Sequence, residues 1–383
     1  MRIYIDEHKK RLPQPLDKAL KIREYGPYNL YPQLINELIR KSPIASSATD
    51  IRADFLNGEG FEEYGDLIVN NDGHTLDDIL NFISHDAATF TRSFALFFNL
   101  NGLGNIEEVQ YLPFEFVRQG AVTSTGRYNT VVISRNWEMS SQKLPQGQEL
   151  RIQRFPIFNP KKAQAEALTA GRGMVLYYTG KPYTYPYAYI DPVIDPVESE
   201  ISIREWQKEN AKYGFNGATL FKHFGNLEEG SEEEYLFQQK LQKLTRPGVV
   251  GVEIDEELKD SSLFETIPGD NKDRLFEFTT GDIKETILTR YGLTPELFGA
   301  LKGGAVINSQ SMKDHYNYYN HRTKNDRIEI ARQFRYFMKF WHEGPLDPGE
   351  IKKQEYETPV FKQEVVDNSS GLTDMEREEE TDE

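Results

Sequence analysis

The stretch Ile287-Leu-Thr-Arg-Tyr-Gly292-Leu-Thr-Pro295-Glu-Leu-Phe-Gly299-Ala-Leu-Lys302-Gly-Gly304-Ala-Val306-Ile-Asn308-Ser-Gln310 decides how this chain is organised. Ile283, Ile287 and Tyr291 stand four apart and mark one stripe of a helix that begins near Thr280 and Asp282. Gly292, followed by Pro295, stops it: glycine accepts the left-handed conformation of a helix end, and proline cannot continue the ladder. The eleven residues Phe298 to Asn308 are then rich in glycine and small side chains. Glycines at 299, 303 and 304 cost backbone entropy and offer no packing, so the composition predicts an element that moves or adapts. Ser309 to Trp341 holds neither Gly nor Pro. A continuous helix there would span roughly 50 Å.

Upstream, Asp195-Pro196-Val197-Glu198 reads as a strong helix start, with Asp195 as N-cap, Pro196 at the first helical position and Glu198 completing a box. This helix carries Val197 and Ile201, runs to about Tyr213, ends at Gly214 and is roughly 27 Å long. Between the two helices the pattern alternates: strand-like at 215–224, helical at 231–244, strand-like at 248–254 and 263–267. Residues 29–57 read as two short helices, the first capped by Asn29 and the second stopping before Gly58 and Gly60. Thr75-x-x-Asp78 resembles a capping box and opens a third helix that reaches about Arg92. Strands follow at Phe94–Leu100, Glu108–Val117, Tyr128–Ser134, Leu150–Phe158 and Gly173–Thr179. Residues 177–192 hold six tyrosines among three prolines, which predicts extended chain or an edge strand. The fold class is α+β, without an internal repeat.

The 383 residues carry 45 Lys+Arg against 61 Asp+Glu, a formal net charge of −16. The absence of cysteine excludes a disulfide scaffold, a thiolate zinc site and a cysteine nucleophile, and fits a reducing compartment. The 12% aromatic content argues against wholesale disorder. No run of roughly 18 apolar residues occurs and the first residues lack signal-peptide features, so a soluble intracellular product is expected. From Gly344 the chain is proline-dotted and then acidic. Residues 364–383 hold nine carboxylates against the single Arg377, a net −8 that is half of the total charge. Such a segment reads as a disordered, solvated tail. The other half, spread over 363 residues, leaves the rest only mildly acidic.

Catalytic patterns fail one by one. Gly180-Lys181 is followed by proline and preceded by no glycine at 175, so there is no phosphate-wrapping loop. Gly171-Arg-Gly173 lacks the third glycine of a dinucleotide fingerprint, and no G-x-S-x-G elbow is present. The seven histidines form no helical ligand pair; His315 and His321 lie six apart, on different faces. Asp191, Asp195, Glu198 and Glu200 fall within ten residues and offer the oxygen ligands that Mg²⁺ wants, the basis of a competing reading as a carboxylate–metal-dependent hydrolase. Two of these acids already have a local task in capping, and acids gather at helix N-termini through the macrodipole alone. The expectation is no catalytic residue, no metal and no cofactor.

The order of elements resembles that of tailed-bacteriophage portal proteins, the head-to-tail connector rings. The resemblance rests on Phe215-Asn-Gly-Ala-Thr-Leu-Phe-Lys222 after the capped helix and on Ile287 to Gly299 with its loop and Asn308-Ser-Gln. It rests as well on the strand, turn and strand from Phe94 through Asn101-Gly102 to Val109, Leu112-Pro113 and Val117-Arg118. It covers about residues 76–342. It implies an N-terminal α/β wing over 1–192, a first stem helix at 193–214, a clip at 215–278 and a second stem helix at 279–295. A tunnel loop at 296–308, a long wing helix at 309–343 and an acidic tail at 344–383 would follow, with the helical crown reduced or absent. Val197, Ile201, Ile283, Ile287 and Tyr291 would be stem residues; Gly299, Leu301, Lys302, Gly303, Gly304, Val306 and Asn308 would face DNA. The implied protein is a ring, normally of twelve subunits, at one capsid vertex of the virion, assembled in host cytoplasm. Its implied partners are double-stranded DNA, the terminase large subunit, a head–tail adaptor, and the major capsid and scaffolding proteins, with no membrane. A virion adaptor without a DNA channel is a third reading. A duplex that slides should not be gripped by many Lys and Arg contacts, and the mild acidity of the chain accords with that.

Overall fold

The computed structural model describes residues 16–17, 21–121, 127–137, 152–163, 165, 173–180, 184–213, 219–224, 249–254, 264–266, 273–299 and 309–356. They form a mixed helix-and-sheet fold. Two short strands, β1 (Leu16–Asp17) and β2 (Ile22–Arg23), precede the helices α1 (Tyr31–Lys41), α2 (Pro43–Asn57) and α3 (Leu76–Thr89). Next come β3 (Phe94–Leu100), β4 (Ile106–Leu112), β5 (Val117–Gln119), β6 (Thr130–Ile133), β7 (Gln153–Pro156) and β8 (Gly173–Tyr178). Helix α4 (Ile194–Tyr213), strands β9 (Thr219–Phe224), β10 (Val249–Ile254) and β11 (Phe264–Thr266), helix α5 (Asp273–Tyr291) and helix α6 (Ser309–Phe337) complete the order.

The sheet β4-β3-β8 is antiparallel throughout, and its central strand is buried on both faces. That is why β3 reads Phe-Ala-Leu-Phe-Phe-Asn-Leu, almost without a polar break. Phe94, Leu96, Phe98 and Leu100 enter one core with α3 and the C-terminal half of α6, while Ala95 and Val175 enter a second core. The second core joins α1, α2, α4 and α5 to the antiparallel sheet β5-β6-β7. A separate sheet, β10-β9-β11, lies in sequence between α4 and α5; β9 pairs parallel with β10 and antiparallel with β11.

Local signals were followed where nothing distant competed. Thr75 Oγ1 accepts from Asp78 N at 3.2 Å and Asp78 Oδ2 from Thr75 N at 2.8 Å, the reciprocal capping box. Four expectations need correction. Asn29 does not cap α1: its side chain accepts from Tyr25 N at 2.9 Å and from the buried Arg118 Nε at 2.7 Å, and Leu30 precedes the helix without a side-chain cap. A 3-10 turn, Asp191–Val193, runs straight into α4, so Asp195 sits in the first turn of the helix rather than at its cap. Helix α5 begins at Asp273 with Gly281 inside it, not near Thr280. Helix α6 stops at Phe337, not at Trp341, and continues as the 3-10 turn Met338–Phe340. There tertiary bonds draw the chain out of the ladder, His342 N to Ile106 O at 3.0 Å and Leu346 N to Met338 O at 3.1 Å.

The chain beyond Gly344 also departs from the expected tail. Residues 344–356 form an extended strap across the loop after α2. Glu62 N donates to Glu350 O (3.0 Å), Glu63 N to Pro348 O (3.1 Å) and Lys352 N to Gly60 O (2.9 Å). Ile351 is buried in the core with Phe61. Apolar burial and paired backbone groups hold this segment, which its proline-dotted composition concealed. Residues 357–383 lie outside the described residues, as do the helical stretch read at 231–244 and Leu301, Lys302, Gly303, Gly304, Val306 and Asn308.

Candidate functional site at the base of a helix pair

The Tyr-Pro run before α4 is pinned by aromatic hydroxyls. Tyr25 OH donates to Pro186 O at 2.5 Å and Tyr185 OH to Arg23 O at 2.6 Å; the Tyr25 and Tyr185 rings stack at 4.0 Å. Tyr31 on α1 donates its hydroxyl to Asp191 Oδ1 at 2.6 Å and accepts from Ala188 N at 3.0 Å. Burial, the bond to Asp191 and that residue's charge push the Tyr31 phenol far above its ordinary range, so this clasp holds its proton. Helix α4 therefore leaves the body from a fixed point. Nearly two turns into α4, the buried Glu200 accepts from Ser42 Oγ, the N-cap of α2, and from Arg204 Nε at 2.9 Å.

Helix α5 returns to that same point. Arg290 Nε donates to Tyr189 O at 2.6 Å, so the end of α5 meets the start of α4 and the two helices run antiparallel. Val197, Ile283, Ile287 and Tyr291 are buried together and Ile201 packs against them. All five sequence-derived helix residues thus share one core. Tyr291 OH shares a hydrogen bond with Thr49 Oγ1 at 2.7 Å, and Tyr319 of α6 donates to Tyr291 O at 3.3 Å. By contrast, the next part of α4 stands in solvent: Arg204, Glu205, Trp206, Gln207 and Lys208 are all exposed.

The end of α5 is a Schellman turn. Leu293 N donates to Leu288 O at 3.0 Å and Gly292 N to Thr289 O at 3.1 Å, with Gly292 at φ 69°. A Cβ on Gly292 would lie 2.2 Å from Cζ of Arg322. Gly292→Ala combines a left-handed backbone with this clash and is expected to cost about 2 kcal/mol; an unchanged urea midpoint would contradict the geometry. Beyond the turn, Thr294 Oγ1 meets Leu297 N (3.3 Å) and His315 Nδ1 (3.2 Å). Gly299 ends the segment at φ 73°, and Lys284 Nζ lies 5.2 Å over the Phe298 ring. Of the expected DNA-facing residues, Gly299 alone falls within the described residues.

Four elements lock the base through a group that sequence reasoning missed. Arg52 of α2, only 3% exposed, places its guanidinium 4.0 Å over the Tyr189 ring, and Arg290 lies 4.2 Å over the same ring. Arg52 Nη2 meets Asp326 Oδ2 of α6 at 2.5 Å, and Arg92 Nε meets Asp326 Oδ1 at 3.5 Å. The available signal was the place of Arg52 on the apolar stripe Ala45, Ala48, Thr49, Arg52, Leu56, where a charge needs a partner.

The carboxylates of the metal reading do not converge. Asp191 is engaged by Tyr31 and Glu200 by Ser42 and Arg204, while Asp195 and Glu198 are exposed. Among the described residues no three of His, Cys, Asp and Glu are placed to hold a metal ion, and no described helix is long and apolar enough to cross a membrane. The arrangement is mechanical: a helix pair rooted in a dry, aromatic and arginine-locked base.

No protein-family model matches the chain, and no curated protein matches it. Solved structures with a similar course of chain include one described as the virion of a native gene transfer agent particle, 11% identical, covering 81% of this chain and 82% of that one, with a TM-score of 0.48. Others are the neck of the native particle computed with C12 symmetry (12% identity, 81% and 82% coverage, TM-score 0.48) and the neck of the empty particle computed with C6 symmetry (11%, 85% and 85%, 0.48). Likeness at this level concerns the trace of the chain.

Proposed function

We propose that this chain is the subunit of a portal-type ring, a head-to-tail connector through which double-stranded DNA passes. The observation that carries the reading is the antiparallel pair α4 and α5, buried together at its base and exposed along α4 from Arg204 to Lys208. In sequence a small sheet, β10-β9-β11, separates the two helices, and a glycine-ended turn and the 29-residue α6 follow them. Five consecutive residues of α4, Arg204 to Lys208, are exposed and so leave every face of the helix open there; in a closed ring, heterologous contacts with two neighbours cover it. In this reading α4 and α5 are the stem and β9–β11 belong to the clip that meets motor and adaptor. Residues 296–308 form the loop nearest the duplex, and the body holding α1–α3, α6 and the sheets is the wing. Packaging chemistry belongs to a separate terminase, and the chain itself is structural.

Negative-stain imaging with mass photometry tests this. A ring of twelve chains of 44.3 kDa weighs about 530 kDa and shows a central hole. A protein that stays monomeric at high concentration, and also in the presence of capsid and scaffolding proteins, would sink the reading.

A further inference from the structure

Four guanidiniums gather at the base of the helix pair, around one ring and one carboxylate. Arg52 and Arg290 lie 4.0 and 4.2 Å from the centroid of the Tyr189 ring, so their charged groups are at most about 8 Å apart. Arg322 of α6 hydrogen-bonds to the side chains of Tyr189 and Tyr318. Arg92 and Arg52 share Asp326. Thr91 and Arg92 adopt positive φ, 49° and 64°, a backbone disfavoured for residues with a Cβ, in the turn that brings Arg92 to Asp326. This turn is fastened to the segment that carries the ring: Tyr189 N donates to Thr89 O at 2.7 Å and Thr91 Oγ1 to Tyr187 O at 2.8 Å.

The cluster has more positive charge and more donors than its neighbours absorb. Among the described residues, Asp326 is the one carboxylate within salt-bridge distance of these four cations, and it serves Arg52 and Arg92. Glu329, the next acid along α6, is held by Arg332. Arg290 is in the last turn of α5 and Arg322 packs on Gly292, so the helix C-terminus offsets about half a charge more, leaving roughly two in excess. This stands in a chain of net charge −16. Arg52 Nε, on a side chain only 3% exposed, has no hydrogen-bond partner among the described residues. The cluster is not sealed: Arg322 is exposed, the Arg92 side chain is 33% accessible, and Tyr187 and Tyr318 stand exposed beside it.

We propose that Arg92, Arg290 and Arg322 form a binding site for a phosphate-class oxyanion, which enters beside Tyr187 and Tyr318. Cations this close repel one another, and an oxyanion among them relieves that repulsion while accepting from several guanidinium donors at once. The planar fork of arginine matches phosphate oxygens in pairs, and an excess of about two charges suits a phosphate group. Free phosphate, pyrophosphate and a nucleic-acid backbone present the same oxygens. Two or three such contacts hold one phosphate without gripping a duplex along its length. The inference does not require the ring.

The test is arginine modification of the full chain by phenylglyoxal, read by peptide mass spectrometry at constant ionic strength in chloride buffer. Pyrophosphate should slow the modification of Arg290 and Arg322 saturably, about tenfold at about ten times its dissociation constant. The exposed Arg40 and Arg332 should react at an unchanged rate. A short DNA duplex in place of pyrophosphate separates the sources. Protection of the same arginines by the duplex makes this a backbone-phosphate contact, and protection by the free anion alone makes it a small-anion site. Arg322→Gln, at an exposed position, should raise the pyrophosphate concentration that half-protects Arg290 about tenfold, through the loss of charge-assisted hydrogen bonds, with unchanged helix content. An unchanged half-protection concentration in that variant overturns the proposal. So does a wild-type chain in which Arg290 and Arg322 are unprotected, or protected no more than Arg40 and Arg332, a result that needs no variant to fold.

Discussion

Arg118→Leu is expected to lower the stability of the protein by about 4 kcal/mol, read as a fall in urea or thermal midpoint. Arg118 is fully buried, and burial pulls its pKa down to about 10. Among the described residues no carboxylate forms an ion pair with it; every donor is satisfied by neutral oxygen. Nε donates to Asn29 Oδ1 (2.7 Å), Nη1 to Glu115 O (2.8 Å) and Val117 O (2.9 Å), and Nη2 to Asn29 O (2.7 Å) and Gln33 Oε1 (3.0 Å). The Trp137 ring lies 4.8 Å from the guanidinium, adding cation–π attraction. Leucine fills much of the volume but strands these acceptors in a site water does not reach, and stranded acceptors carry the larger penalty. The kink at Tyr28 and Asn29, both at positive φ, would lose its anchor, and with it the approach into α1. Lysine should rescue little, because an ammonium lacks the planar fork. A loss under about 1 kcal/mol for Arg118→Leu would show that the network is dispensable.

Asp86→Asn should remove a pH dependence of stability. Asp86 lies near the end of α3 and accepts from Phe114 N and Tyr111 OH, each at 3.0 Å. Burial raises its carboxyl from 3.8 to about 7, against the two hydrogen bonds, which lower it. The sign follows from linkage. Below pH 4 the group is protonated in folded and unfolded chains alike and costs nothing. Between pH 4 and 7 the unfolded chain releases the proton while the folded chain keeps it, so this contribution to stability falls by about 1.4 kcal/mol per pH unit. The accumulated loss above pH 7 is about 4 kcal/mol. Asparagine keeps an acceptor for Phe114 N and does not titrate. The variant's advantage over the wild type should therefore grow by about 2–3 kcal/mol from pH 5 to pH 8. A difference that stays flat over that range would refute a raised Asp86.

What could be read before folding was what short-range geometry sets. The capping box at Thr75 and Asp78 formed because both partners lie within one turn and nothing remote bids for them. Gly292 ended α5 because a positive φ is a local demand that glycine meets. The nearly unbroken apolar run of β3 read as a strand, which packing then buried on both faces. Spacing alone put Ile283, Ile287 and Tyr291 on one apolar stripe, although it could not say that Val197 and Ile201 of α4 meet it.

The sequence by itself thus determined the order of the main described helices and strands, the apolar stripe and glycine stop of α5 and the placement of half the negative charge in residues 364–383. Tertiary structure decided everything that depends on partners distant along the chain. Asn29 was taken from its helix by Arg118, 89 residues away. Asp191 was claimed by Tyr31 across 160 residues, and the strap after Gly344 was fastened to the loop at 58–63. Arg52 was made tolerable in a core by Asp326, 274 residues on. Each outcome has one physical cause: a buried polar group must find a partner, and the nearest in space is seldom the nearest in sequence.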